Sequence, residues 1–237
     1  MIPPASAPSN PDYPSSISDC TIGFVRTDQW DPLASDDLKA IWKIAKDLLS
    51  KAGAQVEDVD LGAEFENLAG PDGRHQELME CEGRINITRE YRIGKDQLDE
   101  TLIKFAENKR GTTRQRFVKV QDEIAALRPK IDKIADKYSV LITPSVPGEA
   151  PEGLSWTGSH HFCSMWTALH VPTINVPGFA GSKGLPIGLT LVAPRYQDEK
   201  LLHVAKLVAG VFVGSAKGNL KRPPAPEGVV YVESSEC

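Results

Sequence analysis

Apolar and polar positions change from a strand-like to a helix-like period near the start of the chain. The short apolar run 21–26 predicts a strand. Ser35, followed by Asp36 and Asp37, supplies a helix N-cap and an acidic first turn. The apolar positions that follow recur at helical spacing and predict one buried helix face: Leu38, Ile41, Trp42, Ala45, Leu48, Leu49 and Ala52.

A second strand is predicted over 54–61, after Gly53, which is placed to end the helix. A strand, a helix and a strand within about 40 residues are typical of a βαβ unit. The sequence therefore predicts two parallel strands in one sheet, with the helix covering one of its faces.

Residues 62–137 are charged and poor in β-branched runs, which favours helices with a break or kink near Pro129. The apolar positions of the last helical stretch are Phe117, Val120, Ile124, Leu127, Ile131 and Ile134. The remaining predicted elements are a strand over 138–145, a loop over 147–159, a helix over 161–170, a short strand over 172–178 closed by Pro177-Gly178, a sheet-interior strand over 187–194 and a helix opened by Asp198 and Glu199.

The two ends of the chain differ in composition from the segment between them. Residues 1–19 contain five prolines among Ser and Asn, a composition that cannot bury enough apolar surface to fold alone. After 214 the chain becomes polar and Pro-rich again. We therefore expect a disordered lead over 1–19, one α/β domain over 20–214 and a flexible tail over 215–237.

Composition and charge exclude several classes of partner. The net charge is −5, and the basic residues form no stripe that could follow a phosphate backbone, so we expect neither nucleic acid nor an anionic membrane as a partner. No apolar run approaches the roughly 20 residues that cross a bilayer, and the first residues do not resemble a signal peptide. We expect a cytoplasmic protein. The four cysteines form no CxxC pair, which indicates neither a disulfide framework nor a zinc site.

Three ordered blocks carry a family resemblance. LITPSVPGEAPEGLSWTG, WTALHVPTINVPG and GLPIGLTLVAPRYQDEKLL resemble successive C-terminal blocks of the amidase-signature family. The predicted βαβ unit resembles the segment that follows that family's catalytic region, so the resemblance covers most of 21–213. One departure is Thr190, where the family commonly has Gln.

The resemblance implies a fold, an activity and a region for the substrate. The implied fold class is α/β, a mixed β-sheet with covering helices that lacks the family's N-terminal half. The implied activity is hydrolysis of a small-molecule amide without a cofactor. Family members contact substrate from loops at the edge of the sheet, which makes Thr143, Trp156, Phe162 and Met165 candidate substrate-binding residues. Core packing or loop shielding explains each of them equally well.

The catalytic residues of the family have no counterpart in these 237 residues. The family uses a Lys, a Ser with a cis peptide and a nucleophilic Ser, because a neutral buried lysine can relay the proton of a poorly nucleophilic hydroxyl. Those serines lie in a Gly/Ser-rich stretch whose N–H groups stabilise the oxyanion. Here Ser159, Ser182 and Ser215 follow isolated glycines in turn-like contexts, so we assign no catalytic residue.

His160, His161 and Cys163 form the remaining local group of reactive side chains. Zinc needs a further ligand, and no second cluster has matching spacing, so we expect no metal. A Cys-His thiol dyad has no identifiable orienting partner or oxyanion loop.

Two functional classes remain open. The chain is either part of an amidase, as a fragment or the product of a shortened gene, or a non-catalytic remnant that binds a ligand or a partner. In both cases we expect apolar surface that a homo-oligomer or a partner chain would cover.

Overall fold

A five-stranded mixed β-sheet forms the centre of the structure, a computed structural model that describes residues 13–215. In this part of the chain the strands are β1 (Thr21–Val25), β2 (Gln55–Val59), β3 (Val140–Pro144), β4 (Thr173–Ala180) and β5 (Pro186–Val192). Their order is β2-β1-β3-β5-β4. Strand β1 is parallel to β2 and β3, whereas β5 is antiparallel to β3 and β4. The predicted mixed sheet is confirmed.

Eight α-helices within the same range surround the sheet. They are α1 (Trp30–Leu33), α2 (Asp36–Lys51), α3 (Arg74–Asn86), α4 (Thr88–Gly94), α5 (Glu100–Ala106), α6 (Arg114–Ala135), α7 (His161–Leu169) and α8 (Asp198–Ser215). Helix α2 begins as predicted, because Ser35 Oγ accepts a hydrogen bond of 3.1 Å from the Leu38 N–H. Gly53 follows with φ +101°, a conformation that favours glycine. The β1-α2-β2 unit is therefore confirmed.

The two faces of the sheet are covered by different helices. Ile22 and Phe24 of β1 pack with α2 and α8, whereas Val25 packs with α6 and α7. Successive side chains of a strand point to opposite faces, which explains this division. The β1-to-β2 crossover, which contains α2, therefore runs over one face of the sheet. The β2-to-β3 crossover, which contains α6, runs over the other.

The structure bears on two local predictions around prolines. Helix α6 continues through Pro129, so the predicted break does not occur, and a kink there stays a prediction; Leu127 and Ile131 are buried on both sides of the proline and hold the helix against the sheet. Strand β4 does not close at Pro177-Gly178 but continues to Ala180, with a register shift between Pro177 and Phe179. Proline is tolerated there because β4 pairs only with β5 within the described range and lies at the edge of the sheet.

Most residues of the predicted lead and tail, 1–12 and 216–237, lie outside the described range. Residues 13–19 are described, and they include a 3₁₀ turn at Ile17–Asp19. The Pro14 carbonyl is 2.7 Å from Nε2 of His203 on α8. This part of the predicted lead therefore packs against the domain. Between residues 13 and 215, none of the helices has the length and apolarity that a bilayer crossing needs.

Candidate functional site

A cluster of polar side chains lies across three strands of the sheet. Thr143 of β3 is in register with Thr190 of β5, and Thr190 is in register with Asn175 of β4. These three residues share the face covered by α6 and α7, because they alternate with the residues packed under α2 and α8. Together with Ser145, which follows β3, we call them the polar cluster.

Hydrogen bonds connect most of the polar cluster. The Ser145 and Thr190 hydroxyl oxygens are 2.8 Å apart, and Asn175 Nδ2 donates to Ser145 Oγ. The Cys163 thiol donates to the Ser145 carbonyl at 3.2 Å. Ser145 and Thr190 are buried, so these bonds satisfy groups that would otherwise lose their hydration. The cluster therefore fixes the first turn of α7 to the end of β3.

Gly188 leaves room for the Asn175 side chain. The two residues lie on adjacent strands, and a Cβ atom at position 188 would collide with the Asn175 carboxamide. Glycine at the end of the segment Gly184-Leu185-Pro186-Ile187-Gly188 therefore has a steric reason, because it makes room for a member of the polar cluster.

Thr143 differs from its neighbours in the polar cluster. Its side chain is fully buried, and its hydroxyl has no hydrogen-bond partner among the described residues. A buried hydroxyl without a partner costs about 1–3 kcal/mol of stability. The structure therefore retains a polar group at a position where a valine of similar shape would be more favourable.

We expect Thr143→Val to raise the free energy of unfolding by about 1 kcal/mol, because it removes an unsatisfied hydroxyl at nearly constant volume. Thr190→Val is the matched control on the neighbouring strand. It breaks the bond to Ser145 and should lower the free energy of unfolding by about 1–2 kcal/mol. Urea denaturation followed by circular dichroism measures both. Equal destabilisation by the two substitutions would contradict this account of Thr143.

No serine among residues 13–214 has its hydroxyl hydrogen-bonded to a lysine amine or a histidine ring. Ser182 Oγ donates to Asp37 Oδ2 at 2.9 Å, and Ser159 Oγ accepts from the His161 N–H at 3.3 Å. The side chain of Ser215 lies outside the description. A serine without a neighbouring base is a poor nucleophile. The described geometry therefore offers no activated serine.

The group around Cys163 contains no activated nucleophile either. Cys163 is exposed at the surface of α7, but its thiol donates to the Ser145 carbonyl, and the desolvation of the sulfur on that side raises the pKa of the thiol. Burial lowers the pKa of His161, and His160 lowers it further. Within the described ranges, no three His, Cys, Asp or Glu side chains are placed to hold a metal ion. The expected absence of a metal stays a prediction, which metal analysis of the dialysed protein would test.

The four candidate substrate-binding residues lie in different surroundings. Thr143 belongs to the polar cluster, and Trp156 is 60% exposed in the loop between β3 and α7. Phe162 is fully buried in the core under α2 and α8. Met165 lines a cavity at the ends of β1 and β2. Ser145 and Asn175 were not identified from the sequence, because only the pairing of β3, β5 and β4 brings them together.

Comparison with known proteins identifies the class to which this fold belongs. A sequence model of the amidase family matches residues 3–202. The chain therefore belongs to the amidase family, and the resemblance of its three C-terminal blocks is confirmed.

The curated relatives are longer than this chain. The A subunit of glutamyl-tRNA(Gln) amidotransferase from Synechococcus sp. (strain RCC307) is 34% identical over 123 residues, which are 46% of this chain and 23% of that protein. Its counterpart from Wolbachia sp. subsp. Drosophila simulans (strain wRi) is 25% identical over 199 residues, 73% of this chain and 41% of that protein. The chain thus spans less than half the length of these relatives.

Solved structures support the same fold. A 6-aminohexanoate cyclic dimer hydrolase complexed with substrate superposes with a TM-score of 0.64 at 20% identity, over 86% of this chain and 46% of that one. The A subunit of glutamyl-tRNA(Gln) amidotransferase from Thermotoga maritima superposes with a TM-score of 0.60 at 16% identity, over 82% of this chain and 43% of that one. At these identities the likeness shows the fold alone.

Proposed function

We propose that this chain forms the C-terminal part of an amide hydrolase, and that the hydrolysis depends on a Lys-Ser-Ser segment that these 237 residues do not contain. The chain would contribute the mixed sheet, the polar cluster and the loop between β3 and α7 as walls of the substrate site. The substrate would be a small molecule with a carbon–nitrogen bond. The observation that carries the proposal is the family match over residues 3–202, combined with the lack of an activated serine in the described residues.

The polar cluster supports a role beside the substrate rather than in the chemical step. Its groups can donate and accept hydrogen bonds, but none of its hydroxyls contacts a base. Three of its members, Thr143, Ser145 and Thr190, are buried, whereas Asn175 is exposed at the edge strand β4. We infer that Asn175 is the best candidate here for a contact with a group outside the described residues, with Ser145 and Thr190 behind it.

A second candidate function is a non-catalytic remnant that binds a ligand or a partner chain. The lack of a serine–base pair among the described side chains favours it. One solved structure that superposes with a TM-score of 0.62 at 20% identity, over 87% of this chain and 45% of that one, belongs to a vestigial protein complex linked to the origins of an s-triazine catabolic enzyme. A partner for this chain is therefore plausible under either function.

The first test is amide hydrolysis by the purified 237-residue chain. We expect no ammonia release above buffer from a panel of aliphatic and aromatic amides, because the sequence lacks the Lys-Ser-Ser segment and no serine in the described part of the chain contacts a base. Turnover that disappears in Ser159→Ala, Ser182→Ala or Ser215→Ala would identify a nucleophile that we have not assigned. Turnover that survives all three substitutions would require a different mechanism.

A second measurement separates the two candidate functions. The intact mass of the native protein and the transcript upstream of Met1 show whether a longer product exists. A product that carries a lysine and a Gly/Ser-rich segment supports the hydrolase. A native mass of 25.8 kDa with no such segment upstream supports the remnant.

A further inference from the structure

A cavity of about 530 Å³ opens at the carboxyl ends of the parallel strands β1 and β2. Residues that follow β1 (26–31) and β2 (60–66) line it, with Met165 from α7. Strand β1 lies between β2 and β3, and the two crossovers that reach these neighbours run over opposite faces of the sheet. In open α/β sheets, ligands bind outside the carboxyl ends of the strands, at the point where the crossovers diverge, which in this strand order lies between β1 and β3. The cavity, which we call the switch cavity, lies at the same edge of the sheet beside that point, on the β2 side of β1, and Met165 of α7 reaches it from the segment that follows β3.

The inner part of the switch cavity is aromatic. Phe24, Trp30 and Phe65 line it, and all three are buried. Ligand sites are mostly apolar and aromatic with a few polar groups that set orientation. The inner wall can therefore accept the apolar part or the charged head of a small molecule.

The outer part of the switch cavity is acidic. Five carboxylate residues line it, and two cations lie beside them, Arg26 of the lining and Lys46 of α2. The carboxylates are those of Asp28, Asp31, Asp58, Asp60 and Glu66. Asp58 pairs with Lys46 at 2.8 Å, whereas Asp28 and Asp60 accept backbone N–H bonds. The side chains of Asp31 and Glu66 have neither a hydrogen bond nor an ion pair with any described residue. These two exposed carboxylates are available to a cation.

Two cations of the chain itself lie over the aromatic rings of the switch cavity. The Arg26 guanidinium is 5.9 Å from the centre of the Trp30 ring, and Lys46 Nζ is 5.7 Å from that of Phe24. Both distances fall within the range of cation–π attraction. The aromatic wall therefore attracts positive charge independently of the carboxylates.

We propose that the switch cavity binds a small organic cation, a protonated alkylamine or an alkylguanidinium. The cation would lie against the aromatic wall and be neutralised by Asp31 and Glu66. The sign of the ligand follows from five carboxylates that outnumber the two nearby cations, Arg26 and Lys46, and its size from the cavity volume. The inference concerns binding alone, and its test does not require hydrolysis.

The test is a titration of the 237-residue chain with four small probes: n-butylamine, n-butylguanidinium, n-butanol and butyrate. Binding is monitored by NMR through the indole N–H signals of the tryptophans. The Trp30 signal is assigned with Trp30→Phe. We expect n-butylamine and n-butylguanidinium at neutral pH to shift this signal saturably in the millimolar range, as befits ligands of so few atoms. n-Butanol should bind at least about tenfold more weakly, and added salt should weaken the binding of both cations.

Charge-neutral variants test the two carboxylates. Asp31→Asn combined with Glu66→Gln should weaken the binding of both cations about tenfold, and these exposed positions leave the fold intact. The matched control is Glu82→Gln combined with Asp122→Asn, which removes two carboxylates from a different cavity, between α3, α6 and α7. This control should change the binding less than about twofold.

Three results would overturn the proposal. The first is no shift of the Trp30 signal by either cation at millimolar concentration. The second is binding of butanol as tight as that of the amine, or tighter binding of butyrate, which would assign the site to Arg26. The third is that the Glu82→Gln, Asp122→Asn variant weakens the binding of the cations as much as the Asp31→Asn, Glu66→Gln variant does.

Discussion

Replacing Phe24 with alanine is expected to lower the free energy of unfolding by about 3–5 kcal/mol. Phe24 is 1% exposed, and its ring meets that of Trp42 edge to face, with centroids 4.8 Å apart at 83°. The substitution removes this aromatic contact and leaves a void between β1 and α2, which the packed core cannot fill. Urea denaturation followed by circular dichroism measures the loss.

Two further variants show whether the loss comes from the core under α2. Phe24→Leu keeps most of the buried volume and should cost clearly less than alanine. Phe105→Ala, at a half-buried position of α5, should cost about 1–2 kcal/mol because it exposes less apolar surface. If Phe105→Ala were as destabilising as Phe24→Ala, the assignment of the main core to this side of the sheet would be wrong.

The β1-α2-β2 unit could be predicted because each of its sequence signals lies close to the element that it determines. The Ser35 cap, the apolar stripe of α2 and the glycine at position 53 each lie within a few residues of the feature that they determine. Hydrophobic periods of this kind predict the type of an element well. At two prolines packing outweighed the intrinsic preference of the residue: α6 is not broken at Pro129, and β4 continues past Pro177 at the edge of the sheet.

The polar cluster could not be predicted because it depends on strand pairing between distant segments. Thr143 meets Thr190 only through the antiparallel pairing of β3 with β5, and Asn175 joins them through β4. A shift of the register by one residue would turn these side chains to the other face. No pattern within a single strand specifies that register, so Thr143 was selected as a candidate while Ser145 and Asn175 were missed.

The acidic side of the switch cavity has a signal in the sequence. Acidic residues follow both strands of the predicted βαβ unit, at Asp28 and Asp31 and again at Asp58 and Asp60. The carboxyl ends of parallel strands meet at one edge of a sheet, so these side chains had to approach each other. The aromatic wall was less accessible to prediction, since Phe65 reaches it from a 3₁₀ turn at Ala63–Phe65.

The purified 237-residue chain is expected to self-associate at micromolar concentration. The amidase structures that it resembles are about twice as long, so surfaces that face the rest of the fold in those proteins face solvent in the isolated chain. Within the described residues, β2 and β4 each have one unpaired edge. Unpaired edges and exposed apolar groups are templates for association.

We expect the loop between β3 and α7 to contribute most to the self-association. It follows the central strand beside the polar cluster, and its Leu154 and Trp156 are fully and 60% exposed. Tryptophan is enriched among the residues that dominate interface energies. Leu154→Ser combined with Trp156→Ser should therefore weaken self-association by about 2 kcal/mol, a roughly 30-fold change in the dissociation constant.

Light scattering of the eluting protein, together with a dye that binds apolar surface, measures the association. The matched control is Ile85→Ser combined with Ile93→Ser, which removes two exposed apolar side chains from α3 and α4. This control should leave the dissociation constant nearly unchanged, because the two isoleucines belong to α3 and α4 and not to the loop between β3 and α7. A chain that stays at 25.8 kDa, melts cooperatively and binds no dye would show that the isolated fold covers its own apolar surface. If the Ile85→Ser, Ile93→Ser variant changed the dissociation constant as much as the Leu154→Ser, Trp156→Ser variant, the loop would not be the main surface of self-association.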